Sequence, residues 1–493
     1  MGSVVTRRVI VFGTQKRSRS AFGWAGGTLA VTSSVVLAAI ALGPRHAGAE
    51  TMQSALARAY QGNPQLNAQR AIVRQSDEGV SQALSGYRPT LSATALVGRQ
   101  YTNESGVIPP IPPGLPNGVS YNVKGDTTPW SAGLTGQQTL FNGQQTTNRV
   151  RKAESQVSAS RETLRMMEES VLLAAATIYM DVSRDTANLD VQQNNVRVLQ
   201  HTLTDTQNRF TAGQVTNTDV AQAEAQLAAG EATLHAAEST LMTTRANYRR
   251  IIGIDPANLA ATSPVDRLAP TTLDAAIAVG TAENPTITAA VYGVDVAQLQ
   301  VKIAEGALLP TLALQGTIQQ QRYPNILTPN LFLGTAALNL TVPIYQGGAE
   351  YSAIRLDKET VAQQRLSVDQ VRDQTRANVV QSWGQLIAAK AQVEAAVRQN
   401  DASERALNGV RNEAKAGQRT TLDVLNAEQA LVNARVSLIT AQHDRVVGSY
   451  SLLAAVGRLS AQELQLPVAI YDPMVHYQQV RDAWFGLRTP DGR

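Results

Sequence analysis

The sequence contains no cysteine among its 493 residues. A disulfide framework, a thiolate metal site, a cysteine nucleophile and a lipidated N-terminal cysteine are therefore all excluded. Any attachment of the chain to a membrane must be non-covalent. The net charge is also small, +4 at pH 7, and acidic residues are interspersed among the basic ones. This pattern argues against a nucleic-acid-binding surface.

Aromatic residues are scarce, with 6 Phe and 4 Trp in the whole chain. Because such side chains supply much of the buried surface of large globular cores, we do not expect a core of that kind. Apolar residues make up 43% of the chain, and long stretches contain neither glycine nor proline. This composition predicts a mainly α-helical protein.

Long apolar runs are confined to the N-terminal region. Several basic residues precede an apolar run from about Gly26 to Leu42, and Ala47-Gly48-Ala49 precedes Glu50. This order predicts a signal peptide at residues 1–49, and the alternative is a transmembrane anchor, for which the run is short. No later stretch of about 18 apolar residues occurs. We therefore expect an exported mature protein without a transmembrane helix.

The sequence from residue 50 onward contains two copies of one pattern. Two pairs of motifs are offset by 221 residues and two pairs by 204. The pairs are Asn63-Pro64 with Asn284-Pro285, Pro89-Thr90-Leu91 with Pro310-Thr311-Leu312, Leu140-Phe141-Asn142-Gly143 with Ile344-Tyr345-Gln346-Gly347, and Gly213-Gln214 with Gly417-Gln418. The difference of 17 residues matches a proline-rich insertion at 107–118. We divide the chain into a first repeat at 50–265, a second repeat at 266–465 and a C-terminal tail at 466–493.

Each repeat is predicted to contain one very long helix. Residues from about 145 to 210 lack glycine and proline, and apolar residues recur every seven positions with one four-residue step between Ile178 and Val182. About 65 residues form a rod of ~98 Å. No compact domain holds such a rod, so we expect it to pack lengthwise on return helices from about Thr218 to Ile252 and from about Leu422 to Val456.

Two segments of each repeat alternate apolar and polar residues with a period of two. Trp130 and Leu134 in the first copy, and Leu338 and Leu340 in the second, fall on the apolar faces. Runs of about 10 to 12 such residues are typical of transmembrane β-strands. A soluble hairpin is the alternative for either pair alone. Two matched hairpins in an exported chain favour the membrane.

Four membrane strands per chain cannot form a channel alone. Lipid cannot satisfy the hydrogen-bonding groups of an open sheet edge, and a small barrel needs about eight strands. Subunits must therefore share one barrel. These arguments leave open whether two, three or four chains do so.

In combination, these motifs are similar to those of the TolC family of outer-membrane efflux proteins. The resemblance covers roughly residues 50 to 465 and includes the strand exits Phe141-Asn142-Gly143-Gln144 and Tyr345-Gln346-Gly347-Gly348. The tail from Tyr471 to Gly486 is similar to the C-terminus of α-proteobacterial members. The resemblance implies an α-barrel of duplicated coiled-coil hairpins and a twelve-stranded β-barrel in a homotrimer.

The resemblance also implies a location and partners. The channel-tunnel would lie in the outer membrane, contact its lipid and extend through the periplasm, where it would export substrates with a periplasmic adaptor and an inner-membrane ABC or proton-driven transporter. The alternative function is a periplasmic coiled-coil adaptor, but that class has one helical hairpin between β-rich halves rather than two hairpins. The five histidines are scattered and no phosphate-binding glycine motif occurs. We therefore expect neither an enzyme nor a bound cofactor.

The two helix turns carry the candidate site residues. In each, a glycine is followed by Thr-x-x-Asp, at Thr216 to Asp219 and at Thr420 to Asp423. A glycine C-cap and a capping box are a sufficient structural reason for these residue types. The resemblance adds a functional interpretation, in which such turns close the periplasmic aperture and contact the adaptor.

The resemblance places the gate residues at Thr218, Asp219, Arg419, Asp423 and Asn426, and the adaptor-contact residues at Gly213, Gln214, Gly417 and Gln418. We hypothesise that Arg419 pairs across the turns with Thr218 or Asp219 in the closed state. Family members often have an aspartate where this chain has Asn426, and sometimes have an aromatic residue where it has Ala414. The acidic ring would then carry three charges rather than six.

Overall fold

The computed structural model describes residues 49–108, 119–490 and 492. The predicted signal peptide and residues 109–118 of the proline-rich insertion lie outside the described residues. The helices, in chain order, are α1 Met52–Gly62, α2 Pro64–Leu84, α3 Gln145–Thr211, α4 Asn217–Ile252, α5 Leu273–Glu283, α6 Pro285–Gly306, α7 Ala349–Lys415, α8 Thr421–Ala455 and α9 Pro473–Val480. The order of α1 to α4 is repeated by α5 to α8.

The long helices α3 and α7 contain 67 residues each. The heptad positions of α3 are mostly buried, and Ile178 and Val182 are both buried on either side of the four-residue step. In α7, the buried positions include Ile354, Val368 and Leu386. The heptad pattern therefore marks the faces along which these helices pack.

The long helices pack side by side through shorter ones. Toward its N-terminus α3 lies between α2 and α6, and toward its C-terminus it lies between α4 and α8. Both α6 and α8 also pack on α7. Lys152 of α3 donates to Gln300 of α6 over 2.8 Å, and Gln300 lies 3.4 Å from Asp357 of α7. The result is a layer about four helices wide that contains helices of both repeats. We call this layer the curtain.

The two Asn-Pro motifs make equivalent contacts in the two repeats. Asn63 caps α2 and donates its side-chain amide to the carbonyl of Ile251 over 3.2 Å. Asn284 caps α6 and donates to the carbonyl of Ala455 over 3.1 Å. Both asparagines are buried. Each motif therefore fixes the start of one helix to the end of the return helix of its own repeat.

The main core lies beside the middle of α3. It joins residues of α1, α2, α3, α4 and α8, and its fully buried side chains include Leu56, Leu172, Tyr179 and Tyr248. The Tyr179 hydroxyl lies 2.7 Å from each of the carbonyl oxygens of Glu50 and Ala260. This core therefore joins α1 and α2 to the helices of both repeats. Among the described residues, no helix has the length and hydropathy of a membrane span.

The strands form one four-stranded antiparallel sheet and a separate pair. The strands are β1 Thr90–Val97, β2 Gln100–Ile108, β3 Val119–Thr127, β4 Trp130–Asn142, β5 Thr311–Asn325 and β6 Thr328–Thr341. The larger sheet has the order β1-β4-β5-β6, so β1 and β6 are its open edges. These four are the strands that the sequence predicts. The β2–β3 pair was not anticipated.

The pairing register separates the larger sheet into an apolar and a polar face. Ala93 pairs with Leu134, which pairs with Ile318, and one position along the sheet Thr135 pairs with Thr317 and Thr317 with Thr335. Trp130, Leu134, Leu338 and Leu340 all lie on the apolar face, since strand positions two residues apart share a face. The other face carries hydrogen-bonded polar pairs such as Asn339 with Gln315, 2.9 Å apart.

Candidate gate at the helix turns

The first turn, between α3 and α4, reverses the chain through a Schellman motif. Gly213 has φ 71°, its amide bonds the carbonyl of Phe210 over 2.9 Å, and the Gln214 amide bonds the carbonyl of Arg209 over 2.8 Å. A positive φ without a steric penalty requires glycine at this position. The α4 N-terminus then follows as a capping box. The Thr216 amide donates to Asp219 over 2.9 Å, and the Asp219 amide donates to the Thr216 hydroxyl over 3.3 Å.

The second turn, between α7 and α8, has the same geometry. Gly417 has φ 74°, and the Gln418 amide bonds the carbonyl of Glu413 over 2.9 Å. The Thr420 amide donates to Asp423 over 2.9 Å, and the Asp423 amide donates to the Thr420 hydroxyl over 3.2 Å. The capping role inferred for the Thr-x-x-Asp motifs is therefore present in both turns.

The aspartates of both turns are held in their charged form. Hydrogen bonds from the Thr216 hydroxyl and amide lower the pKa of Asp219, and those from the Thr420 amide and hydroxyl lower the pKa of Asp423. Because each carboxylate sits at a helix N-terminus, the helix dipole acts in the same direction. Each turn thus presents a fixed negative charge at physiological pH.

Arg419 makes its ion pair within its own turn. Its Nε lies 2.9 Å from Glu413 Oε2, and this pair raises the pKa of Arg419. The sequence analysis did not single out Glu413. The repeat alignment contains the signal, because the positions of Glu413 and Arg419 are occupied in the first turn by Arg209 and Val215. A charge pair is present in the second turn where the first has none.

The structure does not join Arg419 to the first turn. Within the described part of the chain, no ion pair links it to Asp219, and both Thr218 and Asn426 are exposed. Asn426 follows Asp423 on α8 by three residues, slightly less than one helical turn. The pairing of Arg419 with Thr218 or Asp219 between turns stays a prediction for the assembled protein.

A cleft of about 760 Å³ lies between the C-terminal parts of α3 and α7 and the start of α8. Its lining includes Ala414 and the ion pair of Arg411 with Glu428, 3.0 Å apart. Glu428 is buried, with a side chain 5% exposed. This pair was not found from the sequence. It joins α7 to α8 just above the second turn.

Within residues 49–108 and 119–490, no cluster of histidine, aspartate and glutamate side chains could hold a metal ion. The curtain of long helices ends in two capped turns, and the opposite end of α3 and α7 leads from a sheet with two open edges. One face of that sheet is apolar and the other polar. These features define a channel subunit with a membrane sheet and a helical tunnel wall.

The chain belongs to the outer membrane efflux protein family, whose model matches residues 55–254 and 280–458. It is 39% identical over 466 residues to the outer membrane efflux protein BepC of Brucella suis, and the match covers 94% of this chain and 97% of that protein. It is 27% identical over 190 residues to TolC of Escherichia coli, covering 34% and 37% of the two chains.

Solved channels share the fold. The CmeC outer membrane channel of Campylobacter jejuni superposes with a TM-score of 0.71 at 15% identity, covering 87% of this chain and 89% of that one. VceC of Vibrio cholerae gives a TM-score of 0.67 at 19% identity, covering 82% and 96%. The chain is therefore an outer-membrane efflux channel with a periplasmic tunnel, and the adaptor alternative is wrong.

Proposed function

We propose that three copies of this chain form one twelve-stranded barrel and one helical tunnel, and that the tunnel exports substrates delivered by an inner-membrane transporter through a periplasmic adaptor. The geometry of the larger sheet is the observation that supports this proposal. Both of its edges are open, its two faces differ in polarity, and β1 and β6 run in opposite directions. Joining β6 of one subunit to β1 of the next therefore continues an antiparallel barrel without an exposed edge.

In this proposal the apolar face meets lipid and the polar face lines the pore. Trp130, Leu134, Leu338 and Leu340 contact the membrane. Three chains contribute twelve strands and leave an open lumen. Two chains would form an eight-stranded barrel, and side chains would fill its interior. The chain is a conduit and not an enzyme, and the energy for transport comes from its partner in the inner membrane.

A cysteine cross-linking experiment tests the subunit number, because the chain has no native cysteine. Ala93→Cys on β1 is combined in turn with Gly334→Cys, Ala336→Cys or Leu338→Cys on β6, and each double variant is oxidised in membranes. We expect at least one combination to give a covalent trimer on a non-reducing gel. Ala95→Cys with Ala132→Cys is the matched control, since these positions pair within one chain. A ladder that ends at a dimer or extends to a tetramer would contradict three.

At the other end, the six turns of a trimer form the gate. Thr218, Asp219, Arg419, Asp423 and Asn426 lie at the aperture, and Gly213, Gln214, Gly417 and Gln418 contact the adaptor. The support for this is positional: the capped turns follow α3 and α7, the two longest helices of the described residues. The fixed charge of Asp423 then occurs three times around the axis, where it attracts cations.

Single-channel conductance in planar bilayers tests the acidic ring. Asp423→Asn removes three charges per trimer while keeping a side-chain oxygen for the cap. We expect block by divalent cations to weaken several-fold. Asp401→Asn, at an exposed position of α7 away from the turn, should leave block unchanged. Unaltered block in Asp423→Asn would remove this residue from the ring while leaving the barrel proposal intact.

A further inference from the structure

The C-terminal tail runs beside α2 in the same direction, toward the membrane sheet. At its start the Tyr471 amide donates to the Tyr60 hydroxyl over 3.0 Å. The guanidinium of Arg70 on α2 lies 4.5 Å from the centre of the Tyr60 ring and 5.3 Å from that of Tyr471. A cation between two aromatic faces fixes the tail at this point.

The middle of the tail is held by the buried carboxylate of Asp77. His476 Nδ1 lies 2.9 Å from Asp77 Oδ2, and the Asp77 side chain is 0% exposed. Arg161 of α3 lies 3.7 Å from the same carboxylate and 5.2 Å from the ring centre of Tyr477. Two helices of the curtain therefore hold the short helix α9 in place.

The end of the tail is fastened next to the first membrane strand. The carbonyl oxygen of Ala483 accepts hydrogen bonds from Arg88 over 2.6 Å and from the Ser81 hydroxyl over 3.4 Å. The Arg88 guanidinium also stacks over the Trp484 ring at 4.7 Å. Arg88 precedes the start of β1 by two residues. The tail therefore ends near the start of β1, at the end of the sheet where β4 leads into α3.

Beyond this clamp, the chain exposes apolar side chains instead of burying them. Trp484 is 59% exposed, Phe485 93% and Leu487 103%. Ile344 and Tyr345, which follow β6 at this same end of the sheet, are exposed as well. In a chain with so few aromatic residues, two adjacent exposed ones, of which Trp484 is held by Arg88, need a partner surface.

We propose that residues 484–487 form a membrane-interface anchor that seats Trp484, Phe485 and Leu487 in the periplasmic leaflet of the outer membrane. The occupant is phospholipid, because Arg88 holds the segment at the periplasmic boundary of the proposed barrel, where the apolar face of the sheet ends. Trp130 lies at the other end of that face, paired with Val97 and Arg322. Trp130 and Trp484 then mark the two aromatic belts that border the hydrocarbon core of membrane β-barrels.

The charges around the segment fit the same partner. The side chains of Arg481 and Arg488 flank it and are exposed, and such cations pair with lipid phosphates at the headgroup level. This anchor rests on the proposed barrel for its height in the membrane. It assigns a non-covalent attachment to a chain that has no cysteine to carry a lipid.

Site-directed spin labelling tests the anchor in the full-length protein, reconstituted in vesicles of phosphatidylethanolamine and phosphatidylglycerol. A nitroxide is attached to Phe485→Cys, a substitution that the exposure of Phe485 makes tolerable. Collision rates are measured with oxygen, which concentrates in lipid, and with a water-soluble nickel chelate. We expect the oxygen-to-nickel ratio to lie several-fold above that of a Gln214→Cys label at the helix turn.

The other outcomes separate the competing surfaces. A label at Leu338→Cys reports on the barrel itself. If the oxygen-to-nickel ratio at Leu338→Cys is that of lipid while the ratio at 485 matches that of Gln214→Cys, the anchor proposal is wrong and the barrel proposal stands. Low collision rates with both reagents at 485 would place the segment against a neighbouring subunit and would also overturn the proposal. In the Arg88→Gln background, the ratio at 485 should fall toward the water-exposed value, because the clamp that orients the segment is lost.

Discussion

The two repeats of this chain are alike in backbone and differ in side chains. Both contain a 67-residue helix, a Schellman turn and a capping box of the same geometry, and both begin their second helix at a buried asparagine. They differ at the turns, where Glu413 and Arg419 replace Arg209 and Val215, and in the β2–β3 pair that only the first repeat has. Backbone geometry is therefore set by the common tunnel wall, while the side chains beyond the caps are available for separate roles.

The largest difference in stability between the two repeats is expected for substitutions at the glycines where the strands lead into the long helices. Gly143 has φ 62° and Gly347 has φ 70°, so alanine is strained at both. At Gly143 an added Cβ would also strike the carbonyl oxygen of Gly306, whereas Gly347 has open space. Gly143→Ala should cost more than about 3 kcal/mol and Gly347→Ala about 1 kcal/mol. Heat-induced loss of the folded band on gels measures both, and equal losses would contradict the asymmetry.

The asparagine contacts are expected to behave alike in the two repeats. Asn63→Asp and Asn284→Asp keep the helix cap but replace a buried amide donor by a carboxylate that faces a carbonyl oxygen. Each should destabilise the protein by about 2 to 3 kcal/mol. Asn63→Ser and Asn284→Ser retain the cap with a smaller group and should cost less. Thermal unfolding in detergent measures the four variants, and a difference above about 1 kcal/mol between the repeats would show that the contacts are not equivalent.

A smaller effect is expected from pH at Glu169 of α3. Burial raises the pKa of this carboxyl to about 8, against a partly offsetting charge on Arg165. Since the folded pKa exceeds the unfolded value of about 4.5, the stabilising contribution is full below pH 4.5 and is lost as pH rises toward 8. Glu169→Gln should therefore gain about 1 to 2 kcal/mol over the parent at pH 8 and little at pH 4.5.

The second repeat provides the control for this titration. Asp373 occupies the equivalent position in α7 and is exposed. The unfolding temperature of Asp373→Asn should follow that of the parent across the same pH range. If both variants shift in parallel, the pH response does not arise from burial at Glu169.

The smallest effect on stability is expected at Arg419. Its ion pair with Glu413 is exposed on both sides, so Arg419→Gln should leave the unfolding temperature unchanged. If Arg419 instead pairs between turns in the closed assembly, the closed-state conductance of the variant should rise. Glu413→Gln separates the two pairs, because it frees Arg419 from its own turn and should lower that conductance. Unchanged conductance in both variants would leave the pair without a role in gating.

Much of the fold could be predicted because its signals are local and repeated. The absence of glycine and proline together with heptads placed α3 from about 145 to 210, and the structure has it from Gln145 to Thr211. The period-two segments likewise located β1, β4, β5 and β6. In both cases one face is buried or apolar over many residues, so the pattern is unambiguous.

The β2–β3 pair was missed because it carries no such pattern. Its strands read QYTNESGVI and VSYNVKGDT, with polar residues on both faces, so period-two hydrophobicity is lacking. The Arg419–Glu413 pair was missed for a different reason. It depends on the chain reversal at Gly417, which brings together side chains six residues apart, and a capping motif identifies the reversal but not the side chains that meet across it.

The equal length of α3 and α7 restricts where this chain can gain or lose residues. One residue added to either helix would displace its turn by about 1.5 Å and rotate it by about 100°, so the turns of a subunit would no longer end at one height. Length changes in the tunnel wall must therefore come in matched sets. The insertion in the first repeat falls instead between β2 and β3 in the sequence. This pair is separate from the four-stranded sheet, so extra residues there leave the register of that sheet untouched.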